Sequence, residues 1–336
     1  MKKSLIALAV LAASGAAMAQ SSVTIYGRVD ASIGSIDTGA GSDSKLFSGG
    51  TAGLTTPRLG FMGKEDLGGG LAATFKLEQR IDLDTGAQQP TKDFTNTDTP
   101  GFKAETSVGL AGGFGAVRLG RMTTSFDDVR ALSNKFNVFD SNGFTTTGFA
   151  FENFGSKLLK YTSRNNGMVR YDSPSFGGVY ASASYAFDQR SDVADDQTVT
   201  SLHLGYKAGG LNVAFGYQDE KTKFDNTALA ASYDFGAFAL SGGFQSAKAD
   251  TGNNKETGYN IGVEVPFGDV KVSLGYASAE NKLNGAKVSD ASGFGLGAKY
   301  ALSKRTSLYG GYSTAEVEGA VNKEQKLFAI GVRHDF

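Results

Sequence analysis

Leu211-Asn212-Val213-Ala214-Phe215-Gly216-Tyr217-Gln218 sets one apolar side chain against one polar or very small one at every step. A period of two is the period of a β-strand, whose successive side chains point to opposite faces. The same alternation runs through Val23, Ile25, Gly27, Val29, Ala31 and Ile33, through Leu71 to Ile81, through Tyr259 to Phe267, and through Phe328, Ile330, Val332 and Phe336. About sixteen such segments can be read, near 22–34, 56–66, 71–83, 105–111, 114–123, 167–173, 179–188, 198–208, 211–220, 227–235, 238–248, 257–267, 269–281, 291–302, 306–317 and 326–336.

The connections alternate in length. Tight turns such as Ala111-Gly112-Gly113, Ala208-Gly209-Gly210, Phe267-Gly268-Asp269 and Ser303-Lys304-Arg305 alternate with long polar stretches around 35–55, 84–104, 124–160, 189–197, 249–256, 282–290 and 318–325. A meander with short turns at one end and long loops at the other is an up-and-down antiparallel sheet, and that many strands need closure. One face of each strand is apolar, while the other is rich in Gly, Ala, Ser and scattered charge. This suits a barrel with lipid outside and water inside. The expected fold is therefore all-β: a transmembrane antiparallel up-and-down barrel of about 16 strands.

Composition removes several chemistries. The 336 residues include no Cys and no Trp, two His, 46 Gly, 24 Phe and 13 Tyr. Thiol catalysis and Cys-based metal sites are excluded, and neither a metal nor a cofactor is expected. With 33 Lys+Arg against 34 Asp+Glu there is no basic field to attract nucleic acid. Without Trp, Phe and Tyr must build both interfacial girdles. Residues 1–19 read as a signal peptide: Lys2 and Lys3, an apolar run from Leu5 to Ala13, and a small-residue end at Ala17-Met18-Ala19. Cleavage is expected after Ala19, leaving 20–336 as the barrel. Loss of Lys2 and Lys3 leaves 31 basic against 34 acidic residues, a net charge of −3. The chain ends on Phe336 in an alternating apolar series, an arrangement that outer-membrane assembly machinery typically recognises.

These features resemble the general porins of the Gram-negative outer membrane, in particular the betaproteobacterial and neisserial kind. The resemblance is carried by Ser22-Val23-Thr24-Ile25-Tyr26-Gly27, Arg58-Leu59-Gly60-Phe61 with Glu65-Asp66-Leu67-Gly68, Phe114-Gly115-Ala116-Val117-Arg118-Leu119-Gly120-Arg121, Val169-Arg170-Tyr171-Asp172-Ser173-Pro174 and Gly331-Val332-Arg333-His334-Asp335-Phe336, in the expected order. It implies a sixteen-stranded homotrimer in outer-membrane lipid, with its third long loop folded into the lumen. That loop is about residues 124–160, with Asp127, Asp128, Asp140 and Glu152 as its acidic side. Alternation puts Arg28, Arg58, Lys64, Lys76, Arg80 and Arg118 on the lumen face. Arg28, Arg58, Lys76, Arg80 and Arg118 form the candidate basic wall of a constriction, where side-chain charge selects ions.

The expected function is passive diffusion of small hydrophilic solutes and ions, with a weak preference for anions. The alternatives are a plugged structural or receptor barrel and an outer-membrane barrel enzyme of the phospholipase or protease type. An enzyme would need a nucleophile and a base on adjacent strands. His203 faces the lumen without a recognisable serine or carboxylate motif.

Overall fold

In the computed structural model the described residues are 22–39, 41–92, 98–136, 161–187, 198–221, 223–319 and 323–336. The sheet is built from β1 (Ser22–Asp37), β2 (Ser42–Phe47), β3 (Arg58–Gly68), β4 (Leu71–Arg80), β5 (Glu105–Gly112), β6 (Gly115–Thr123), β7 (Arg164–Asp172), β8 (Val179–Ala186) and β9 (Val199–Ala208). It continues through β10 (Leu211–Glu220), β11 (Phe224–Asp234), β12 (Ala239–Ala249), β13 (Asn254–Phe267), β14 (Val270–Leu283), β15 (Ala286–Ala301), β16 (Thr306–Glu318) and β17 (Lys323–Asp335). Among the described residues one α-helix, α1 (Ser125–Ser133), interrupts the series between β6 and β7.

Each strand pairs antiparallel with its neighbours. β1 closes the barrel on β17 from Arg28↔Asp335 to Asp37↔Lys326. The 17 strands of this sheet make sixteen staves, because β2 and β3 share one: β2 pairs with the upper half of β1 and β3 with the lower half. Closure removes the open edges that lipid could not satisfy.

Every segment expected from alternation is a strand, with ends shifted by a few residues. β2 falls instead in a stretch expected to be loop. Ser42-Asp43-Ser44-Lys45-Leu46-Phe47 has almost no apolar pattern, and becomes a strand because the long β1 offers it an edge, from Ser32↔Phe47 to Asp37↔Ser42.

The apolar face points outward. Phe215 is 49% exposed and Ile330 57%, while Ala214 on the inner face of β10 is buried. Such a surface is stable only against hydrocarbon. At the long-loop end the outer face carries the cross-strand pairs Phe244↔Tyr259, Tyr276↔Phe294 and Tyr312↔Phe328. At the short-turn end Tyr233, Phe235 and Phe238 cluster, with Phe267 and Tyr300 on neighbouring staves. Among the described residues no helix is long and apolar enough to cross a membrane; the strands cross it.

Two segments fold inward. The 3₁₀ turn Gly50–Ala52 and the residues around it lie against the lumen face of β1, β16 and β17. Asp30 Oδ2 accepts from the Thr55 N–H at 2.9 Å, Tyr309 donates to Asp30 Oδ1 at 2.5 Å, and Ser32 Oγ donates to the Ala52 carbonyl at 2.9 Å. The second is α1, which begins the third long connection.

Candidate functional site: the constriction

Helix α1 lies inside the barrel along β8 to β12. Phe126 and Val129, fully buried, sit on Ala214, Ala228 and Ala230. The wall has to be of small residues here. A Cβ on Gly216 would lie 3.0 Å from both Phe126 and Val129, and one on Gly243 would lie 2.7 Å from Ser133 Cβ. Serines of the wall satisfy the first free N–H groups of the helix: Ser184 accepts from the Ser125 N–H at 3.1 Å and Ser201 from that of Phe126 at 2.7 Å. At the far end the Ser133 carbonyl accepts from Asn260 at 2.8 Å, and Arg130 donates to Gln245 at 2.8 Å.

Both described acidic residues of this loop have partners, Asp127 at the loop's own return and Asp128 on the wall. Asp127 accepts from the Tyr161 hydroxyl at 2.6 Å, and burial pushes its carboxyl above the usual range. Asp128 pairs with Arg170 and lies 3.7 Å from His203 Nδ1. Burial opposes its ionisation, but His203 and Arg170 outweigh that cost and hold the carboxyl below its ordinary value. Neither is a bare carboxylate facing a basic wall. Asp140 and Glu152 lie outside the described residues. Asp128 also supplies the carboxylate that the sequence around His203 did not show. Ser182 Oγ lies 3.4 Å from the same Nδ1, so serine and carboxylate compete for one nitrogen instead of bracketing the ring.

On the facing wall, register brings the basic residues into a row. Arg28 stands opposite Arg58, and Arg58 opposite Arg80, on β1, β3 and β4. Glu78↔Glu105 then places Lys103 beside Arg80. Arg121 donates to the Lys103 carbonyl at 2.8 Å and to Asn166 Oδ1 at 2.6 Å, and feels the charges of Arg164 and Arg80. The row therefore runs Arg28, Arg58, Arg80, Lys103, Arg121, Arg164. Burial first, and then the Arg80 charge, push the Lys103 ammonium below its usual value.

Sequence reading missed Lys103, Arg121 and Arg164. Arg121 sits in a recognised motif without a role, while Lys103 and Arg164 lie at loop ends where alternation is silent. Lys76 and Arg118 occupy a second tier. Lys76 binds Glu105 at 2.8 Å and Glu78 at 3.8 Å, and Arg118 binds Glu105 at 3.3 Å and Asp172 at 2.7 Å. Their charge is largely answered locally. In the upper row Arg58 has Glu78 at 3.1 Å and Arg28 has Asp335 at 3.5 Å, while Arg121 donates to neutral oxygens that fix its fork without cancelling its charge. From the short-turn side Lys64 lines a cavity of about 360 Å³ with Met62, Lys76 and Arg118.

A lipid-facing closed barrel, a polar lumen, an inward-folded helix and a charged ring at the narrowing together define a diffusion channel. The chain belongs to the Gram-negative porin family, whose model matches residues 5–320. It is 40% identical over 372 residues to outer membrane porin protein 32 of Delftia acidovorans, with both chains fully covered. Major outer membrane protein P.IB of Neisseria meningitidis serogroup B is 30% identical over 359 residues, again with full coverage of both. Among solved structures the anion-selective porin from Comamonas acidovorans superposes with a TM-score of 0.78 at 30% identity, covering 94% of this chain and all of that one. The protein is an outer-membrane porin, a channel for passive diffusion.

Proposed function

We propose that this porin passes small hydrophilic solutes with a preference for anions, selected by the row Arg28, Arg58, Arg80, Lys103, Arg121 and Arg164. The observation that carries the reading is the register Arg28↔Arg58↔Arg80, because like charges held side by side on adjacent strands repel. An anion passing the row relieves that repulsion, and a cation does not. The net charge of −3 expected for the processed chain does not decide selectivity, since exposed charges more than about 10 Å from the ion are screened at 0.1 M salt. The similarity to a porin named as anion-selective supports the same sign.

In this reading the working protein is a homotrimer, processed after Ala19 and delivered by assembly machinery that reads Phe336. Phe336 exchanges two backbone hydrogen bonds of 3.0 Å with Gly27, so the terminal residue completes the seam. The channel needs no enzyme chemistry. The shared Nδ1 contact of Ser182 and Asp128 with His203 supports this, because a relay needs both ring nitrogens. The test is the reversal potential of the purified porin in a planar bilayer under a KCl gradient. A potential of the sign for chloride permeation is expected, and one of the sign for potassium would refute the assignment.

A further inference from the structure

Residues 48–57 lead from β2 to β3 through the lumen, and the barrel holds them from two sides. On one side Asp30, fully buried, accepts from the Thr55 N–H at 2.9 Å and from the Tyr309 hydroxyl at 2.5 Å, and Ser32 donates to the Ala52 carbonyl at 2.9 Å. On the other side the Ile81 N–H donates to the Pro57 carbonyl at 3.2 Å and the Leu83 N–H to Ser48 Oγ at 2.5 Å. Within the segment the Gly50 N–H donates to the Thr55 carbonyl at 3.3 Å. The backbone of Thr55 is therefore tied at both its N–H and its carbonyl. Its side chain is buried and β-branched, with few rotamers open to it, so the hydroxyl has a fixed place in the wall.

That place lies between two cations. Arg28 Nη1 donates to Thr55 Oγ1 at 3.2 Å and Arg58 Nη2 donates to the same oxygen at 3.4 Å, while Arg58 Nε donates to the Thr56 carbonyl at 3.1 Å. Arg28 and Arg58 stand in register on β1 and β3, where like charge pushes their forks apart. A hydroxyl oxygen has two lone pairs and no net charge, so it can accept from both forks and hold them together without neutralising either. A carboxylate in its place would bind them more strongly and cancel charge. The carboxylates that do reach these side chains approach other nitrogens, Asp335 at Arg28 Nε and Glu78 at Arg58 Nη1. We propose, resting on the anion-selective reading of the row, that Thr55 is a positioning residue of the constriction: its hydroxyl, placed by Asp30, converges the Arg28 and Arg58 forks into one pair facing a passing anion. Ion preference then depends on a side chain that carries no charge of its own.

The test compares Thr55→Val, which keeps the shape and the backbone bond to Asp30 but loses the hydroxyl, with Thr55→Ser, which keeps the hydroxyl; Thr55→Ala replaces the valine variant should that one fail to assemble. In planar bilayers under a KCl gradient, Thr55→Val should lower the chloride-to-potassium permeability ratio about threefold, the factor that one weak net hydrogen bond supplies, and Thr55→Ser should restore it. With Arg28→Ser and Arg58→Ser already in place, Thr55→Val should shift the potential no further. An unchanged potential in Thr55→Val, or an equal shift in the background without the two arginines, would overturn the proposal. So would a change of conductance with the potential unmoved, which would leave the segment a role in pore width alone. Crystal structures of the unaltered porin and of Thr55→Val separate this result from the anion reading itself. Both forks should rest on Thr55 in a single rotamer in the first and spread over several in the second. A potassium preference in the unaltered channel would refute the anion reading, and the forks would still decide the role of Thr55: equal order in both proteins would overturn it.

Discussion

At the scale of single residues, the constriction depends on side chains that are absent as much as on those present. Gly216 leaves the space that Phe126 and Val129 occupy, and the alanines at 214, 228 and 230 make the floor on which the helix rests. Phe126→Ala removes a fully buried ring from this contact, at a cost of about 3–5 kcal/mol to docking. The expected outcome is a barrel that still folds but shows larger, noisier single-channel currents. A quiet channel of unaltered conductance would show that the polar clamps at Ser201, Asn260 and Gln245 hold the helix alone. Guanidinium charge is the other residue-scale quantity. Replacing Arg58 and Arg80 together by Ser should move the zero-current potential toward cations, whereas Lys64→Ser, outside the row, should leave it nearly unchanged.

Elements are governed by parity. On β10 the odd positions Val213, Phe215 and Tyr217 meet lipid, and the even positions turn inward. Phe215→Arg should cost about 2–4 kcal/mol if the position lies near the midplane, measured by urea unfolding from bilayers. Inward does not mean wet along the whole strand. Asn212 accepts from Tyr180 near the short-turn end, while Ala214 and Gly216 lie beneath α1. Cysteine at 212 should react with a water-soluble thiol reagent, and cysteine at 214 or 216 should react only slowly until the helix contact is broken, for example by Phe126→Ala. Fast labelling at all three would mean that the helix does not stay docked.

For the whole molecule, the proposed selectivity follows from two walls of different character. One is an arginine-rich row, and the other carries a helix whose described carboxylates are tied to Tyr161 and Arg170. A field set by a few nearby charges decays with salt. The anion preference should therefore be clear near 0.1 M KCl and shrink at 1 M, where the screening length falls to about 3 Å. A preference unchanged over that range would assign selection to pore shape instead of charge.

Alternation determined the staves and the sidedness of Arg28, Arg58, Arg80 and the lipid-facing residues, because a period of two is a local property that each strand repeats independently of its partners, and the short and long connections between the strands added the barrel. The residues that build the constriction were only partly legible. Arg58 and Arg80 can be placed on one face from sequence, but their side-by-side register depends on how β3 slides against β4, and Lys103, Arg121 and Arg164 join them only when strands far apart in the chain are brought to one height. β2 has no strand pattern of its own, and exists because β1 is long enough to offer it an edge. The partners of Asp127 and Asp128 were equally invisible, since the helix that carries them crosses strands as distant as β12. Face is written along the strand, whereas height and company are decided between strands, and only the folded molecule holds that information.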